Sequence, residues 1–109
     1  MTTSLVSTHV LDNATGAPAE GVAVVLQTRA GDRLAAAVTD ADGRAADLGP
    51  AVLAPGAYRL VFDTGAWFAA RGTDAFFPEV AVAFTVDDAA HYHVPLLLSP
   101  FAYSTYRGS

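Results

Sequence analysis

Cysteine is absent from the sequence, which excludes disulfides, thiol catalysis and cysteine-ligated zinc or iron–sulfur sites. Lysine is absent too. The six basic residues, Arg29, Arg33, Arg44, Arg59, Arg71 and Arg107, are all arginine and face eleven acids, a net charge of −5. Phosphate-tracking proteins need clustered positive charge, so no nucleic-acid partner is expected. No run approaches the ~20 apolar residues of a membrane span, so no membrane partner is expected. The opening MTTSLVSTHV has neither a basic start nor a long apolar stretch, which makes a cytoplasmic protein the expectation.

What is present fits one domain over residues 1–109, within the usual domain size of roughly 100 to 150 residues. Hydrophobic residues make up 52% and the mean hydropathy is +0.33. That is high for a small soluble monomer and predicts an oligomer whose subunits cover part of the apolar surface. Strand-like runs occupy residues 5–11, 21–28, 34–39, 58–62, 79–86 and two further stretches within 91–109, where Ser99-Pro100 makes the break. Asp40-Ala41-Asp42-Gly43 is a strong turn signal that fixes Arg44 beside it. Asp87-Asp88 closes the strand before His91. Residues 63–72 read as the one short helix, with Asp63 or Thr64 as cap, Gly72 just past its end, and Trp67 or Phe68 pinning it to a sheet. The sum is an all-β sandwich of seven to eight strands.

Strand patterning leaves a residue of chemistry-bearing side chains unexplained: His9, Arg44, His91, His93, Tyr106, Arg107 and Ser109. In an extended segment His91 and His93 share one face while Val94, Leu96 and Leu98 share the other. Imidazole exchanges a proton near neutral pH, and a guanidinium holds a planar anion or an oxyanion through two donors. Together they suit hydrolysis of a small polar molecule. Each also has a plainer reading: His9 as a satisfied strand histidine, His91-Tyr92-His93 as a solvated edge, Arg44 as a solvated turn residue. The two histidines lack a carboxylate at ligand spacing, which argues against a metal site. Composition and spacing end at a β-sandwich with a candidate histidine site.

Five segments go further. Ser7-Thr8-His9-Val10-Leu11-Asp12, Gly16-Ala17-Pro18-Ala19, the stretch from Thr39 through Gly43-Arg44, His91-Tyr92-His93-Val94-Pro95-Leu96-Leu97-Leu98-Ser99-Pro100 and Tyr103-Ser104-Thr105-Tyr106-Arg107-Gly108-Ser109 stand in order along the chain. With them the sequence resembles the 5-hydroxyisourate hydrolases, the transthyretin-related proteins of urate breakdown, along essentially its whole length. Tyr106-Arg107-Gly108-Ser109 is the most specific of these marks. Transthyretin, the hormone carrier on the same fold, departs from the set at the positions of His9, Arg44 and His93.

The resemblance implies a transthyretin-like two-sheet β-sandwich that assembles as a homotetramer, a dimer of dimers with a central channel. It implies hydrolysis of the cyclic amide of 5-hydroxyisourate to 2-oxo-4-hydroxy-4-carboxy-5-ureidoimidazoline, on the way from urate to allantoin, with no metal and no other cofactor. Carried over by position, the catalytic group is His9, Arg44 and His93, and the substrate-binding residues are Tyr106, Arg107, Gly108 and Ser109. His93 is expected to be neutral, paired with His9, and to act as the base; His91 matches the motif too, but His93 is the expected working imidazole. The competing expectation is a non-catalytic transthyretin-like carrier of a small planar ligand in the channel.

Overall fold

The computed structural model describes residues 4–87 and 91–109. The first three residues of the opening stretch and Asp88 of the Asp87-Asp88 turn lie outside the described residues. In chain order the elements are β1 (Val6–Asp12), β2 (Ala17–Pro18), β3 (Ala23–Thr28), β4 (Arg33–Val38), β5 (Arg44–Ala45), β6 (Gly56–Phe62), α1 (Thr64–Ala69), β7 (Val80–Val86), β8 (Tyr92–Ser99) and β9 (Ala102–Thr105). Seven strands of four or more residues thus form the body among the described residues, with two-residue strands β2 and β5 added. No helix among the described residues is long and apolar enough to cross a membrane.

Two sheets divide these strands. One runs β4-β3-β6-β7, antiparallel throughout; the other runs β2-β1-β8-β9, with β5 also paired to β1. The central pair of the second sheet, β1 and β8, is parallel. Such a pair requires a long crossover, and the whole first sheet and the helix are built within it.

Alternation dictates the core. In β1 the buried residues are Val6, Thr8 and Val10, and in β8 they include Tyr92, Val94, Leu96 and Leu98. Val24, Leu26, Leu60 and Phe62 meet them from the other sheet, all fully buried. Burial of each such side chain is worth about 1.5–3 kcal/mol. Two buried threonines answer polar backbone groups between elements. Thr8 Oγ1 donates to the Val94 carbonyl at 2.6 Å, and Thr39 Oγ1 donates to the Ala19 carbonyl at 2.6 Å while accepting from the Val22 N–H.

The helix lies where the sequence predicts, but Asp63 makes no side-chain cap hydrogen bond and Thr64 Oγ1 is buried without a partner. Packing holds it instead. Trp67 and Phe68 are buried, and the Trp67 indole N–H donates to the Glu20 carbonyl at 2.7 Å. Gly72, at φ +64°, turns the chain away as the Thr73 N–H reaches back to the Phe68 carbonyl.

Pro95 shapes the far end of the chain. The β8–β9 register runs from Ser99 opposite Ala102 to Leu96 opposite Thr105, and its continuation sets Pro95 against Tyr106. Proline has no N–H to give to that ladder. Pairing lapses at Tyr106 and Arg107 and resumes where Gly108 bridges His93, while Thr105 Oγ1 takes the Pro95 carbonyl at 2.7 Å.

Candidate active site

Because Val6, Thr8 and Val10 of β1 point into the core, Ser7 and His9 point outward from the second sheet. The parallel register places Ser7 beside His93, and the short antiparallel pairing with β5 places His9 beside Arg44. Residues distant in sequence thereby share one outer face of one sheet.

The turn before β5 fixes Arg44. Asp40 accepts the Asp42 and Arg44 N–H groups on Oδ1 at 2.9 and 3.0 Å, and its own N–H donates to the Arg44 carbonyl. The Arg44 N–H bond, foremost, holds the Asp40 carboxyl below its ordinary value, against the opposing effect of desolvation. Gly43, at φ +77°, packs so closely on β1 that a Cβ there would collide with the Val10 carbonyl oxygen. That same β1 residue receives the turn, its N–H donating to the Gly43 carbonyl at 2.7 Å.

Arg44, His91, His93 and Ser109 line one cavity of about 220 Å³ together with Ser7, Thr8 and Ala46. Ser7 Oγ stands between the two histidines, 2.8 Å from His93 Nδ1 and 2.9 Å from His91 Nε2. Partial burial pushes the His93 pKa below the ordinary imidazole value of 6.5, and electrostatic interaction with Arg44 foremost, then with the His9 and His91 rings, pushes it further the same way. The site thus favours the neutral imidazole of His93, which has a ring nitrogen able to accept a proton.

On the other side of His93 lies a second cavity of about 240 Å³, lined by Tyr106 and Arg107 with Phe84, Thr85, Tyr92 and Thr105 among others. The Arg107 guanidinium sits over the Tyr92 ring, 4.8 Å from its centroid. Gly108 lines neither cavity, but its N–H donates to the His93 carbonyl at 2.8 Å. Both cavities fall below the ~300–1,000 Å³ of drug-sized sites and suit a small ligand.

The structure thus gathers Arg44, His93 and Ser109 at one cavity, sets Gly108 against His93, and turns Tyr106 and Arg107 to the neighbouring one. His9 stands beside Arg44 without lining either cavity. Its Nε2 lies 2.9 Å from the Asp42 carbonyl oxygen, and since a carbonyl only accepts, Nε2 carries the proton. The expected pairing of His9 with His93 gives way to this bond; the group that meets His93 is Ser7. Sequence reasoning passed over Ser7 because its two histidine contacts depend on the β1–β8 register, although its place two residues before His9 already set both on one face. Among the described residues no group of three or more His, Cys, Asp or Glu is gathered as a metal site would need.

The profile of the HIUase/Transthyretin family matches residues 6–108. The chain belongs to this family. Within it, the chain is similar to the 5-hydroxyisourate hydrolase of Salmonella typhimurium, 48% identical over 111 residues that take in 97% of this chain and 82% of the relative. The solved structure of Klebsiella pneumoniae 5-hydroxyisourate hydrolase matches with a TM-score of 0.90 and 47% identity, covering 97% of this chain and 100% of that one. Sea bream transthyretin, solved in complex with thyroxine, matches with a TM-score of 0.85 at 32% identity, covering 95% and 94%. HIUase/Transthyretin members with different named ligands therefore share this sandwich, and the side chains on its outer face must carry the distinction.

Proposed function

We propose that this protein is a 5-hydroxyisourate hydrolase, opening the six-membered ring of its substrate at the cyclic amide to yield 2-oxo-4-hydroxy-4-carboxy-5-ureidoimidazoline in urate degradation to allantoin. The observation that carries the reading is the shared cavity of Arg44, His91, His93 and Ser109, on a chain close in sequence to named hydrolases. A carrier of planar ligands calls for an apolar wall, and this one is polar and cationic.

In the mechanism we assign, His93 Nε2 takes a proton from water, and the water oxygen bonds to the amide carbonyl carbon. The oxyanion that forms faces the Arg44 guanidinium. Collapse breaks the carbon–nitrogen bond, His93 returns the proton to the departing nitrogen, and the new carboxyl group ionises. General-base help is worth ~10²–10⁴ in rate and one oxyanion donor ~10²–10³. Ser109 positions water or substrate; Tyr106, Arg107 and Gly108 bind the remainder of the ring; His9 anchors the Arg44 turn through its Nε2–H bond to the Asp42 carbonyl.

We further assign residues 1–109 to a single hydrolase domain that works in the cytoplasm as a homotetramer, a dimer of dimers. In support of assembly, Val52, Phe76 and Phe101 are each more than two-thirds exposed. Light scattering that gave a monomer at micromolar concentration would overturn the assembly.

The test of the reaction is the ultraviolet decay of 5-hydroxyisourate, freshly made from urate with urate oxidase, with and without the protein. The native chain should accelerate the decay and His93→Ala should lose at least ~10²-fold of that acceleration. Native protein that leaves the decay unchanged would overturn the reading.

A further inference from the structure

We propose that Ser7 is a positioning residue that fixes the ring tautomer of His93, with His91 as the terminal acceptor of the relay. The direction of the relay rests on the reading of His93 as the base.

Ser7 Oγ contacts His93 Nδ1 at 2.8 Å and His91 Nε2 at 2.9 Å. A hydroxyl has one proton, so it donates to one of these nitrogens and accepts from the other. In one sense, His91 Nε2–H donates to Ser7 and Ser7 donates to His93 Nδ1. The remaining His93 nitrogen, Nε2, then carries a hydrogen and has no lone pair for a proton. In the other sense, His93 Nδ1–H donates to Ser7 Oγ, and Ser7 Oγ–H donates to His91 Nε2. Only this second sense leaves the Nε2 lone pair free for water, and which nitrogen is protonated is set by the bond the other one makes.

The surroundings hold this arrangement in place. Ser7 lies on β1 between Val6 and Thr8, both essentially fully buried, and its Cα pairs with that of His93. Across the ring from Nδ1, Gly108 covers Cδ2: a Cβ built on Gly108 would stand 2.5 Å from that atom. The imidazole is clamped between a hydroxyl on one edge and backbone on the other. Turning the ring over would lose the Ser7 bond. His91, at the other end of the relay, is exposed.

The tautomer is read directly on the resting, ¹⁵N-labelled protein at a pH where His93 is neutral, by long-range proton–nitrogen correlation of the ring. Native His93 should be protonated at Nδ1. Ser7→Ala should move the population to the Nε2–H form and lower kcat by about 10- to 100-fold, the size of effect seen when the orienting partner of a metal-bound histidine is removed, with KM little changed. Ser7→Thr, which keeps the hydroxyl, should restore both. His91→Ala, an exposed change that leaves β1 untouched, should shift the tautomer in the same direction. Native His93 protonated at Nε2, or a tautomer indifferent to Ser7→Ala, would overturn the proposal. Because the tautomer is read without substrate, a chain with the Ser7-dependent Nδ1–H form but no hydrolysis supports the relay while it removes the proposed reaction.

Discussion

Gly108 lies against the His93 ring so closely that the smallest possible side chain has no room there. Its N–H donates to the His93 carbonyl at 2.8 Å, and an added Cβ would meet ring atoms Cδ2 and Cγ at 2.5 and 3.2 Å. The glycine in Tyr106-Arg107-Gly108-Ser109 is there for space.

Gly108→Ala should therefore displace either the ring or the strand end that carries Ser109. Misplacement by about 1 Å can lower activity on the order of 10²-fold. The melting temperature should stay close to that of the native protein, because Gly108 lies outside the buried core. Steady-state kinetics beside a thermal melt would test this; native kcat/KM in the variant would show that the contact is irrelevant to the site.

The depressed His93 pKa has a pH signature. Imidazolium is disfavoured first by partial burial and next by Arg44, so the acid limb of kcat/KM should fall below pH 6.5. Removing the guanidinium in Arg44→Gln relieves only the second cause. The His93 titration, followed by NMR, should then move upward but remain below the unfolded value. For stability the sign is that of a histidine kept neutral by folding. The unfolded chain binds the proton more readily, so this contribution is present above the unfolded pKa and declines as pH falls through the folded one. His93→Gln should flatten that part of a denaturation profile recorded at stepped pH.

The turn that carries Arg44 is the third point of leverage. Gly43→Ala sets a Cβ at φ +77° against the Val10 carbonyl oxygen, and should cost on the order of 1–3 kcal/mol, read as a lower urea midpoint at an unchanged m-value. Activity should fall further than stability, because β5 holds Arg44 beside His9 by only a two-residue pairing.

Phe62→Ala separates core from site. Phe62 is fully buried and lines neither cavity; its loss should destabilise by about 3–5 kcal/mol. The fraction that stays folded should hydrolyse at the native rate, as urea denaturation combined with assays well below the midpoint would reveal.

Much of this was legible in the chain. Period-two alternation announced the strands and put His91 and His93 on one face, and Asp40-Ala41-Asp42-Gly43 announced the turn before Arg44. Local rules reach no further than local contacts, however. That Ser7 meets His93, that His9 gives its Nε2–H to Asp42, and that Arg107 rests on Tyr92 all depend on pairings between strands far apart in sequence, and no spacing encodes a parallel register. The helix cap failed for a related reason. Asp63 has the right chemistry for a cap, but the helix is anchored through Trp67 to Glu20, a tertiary contact that makes the cap dispensable.

The pairing of β1 with β8 has a kinetic consequence. Ser7 and His93 are 86 residues apart, and closing so long a loop is slow compared with forming the hairpins of the intervening sheet. A refolding chain can thus acquire most of its secondary structure while it still lacks any catalytic surface. Regained turnover would mark the end of folding, trailing the far-ultraviolet signal and offering a clock for the last strand to dock.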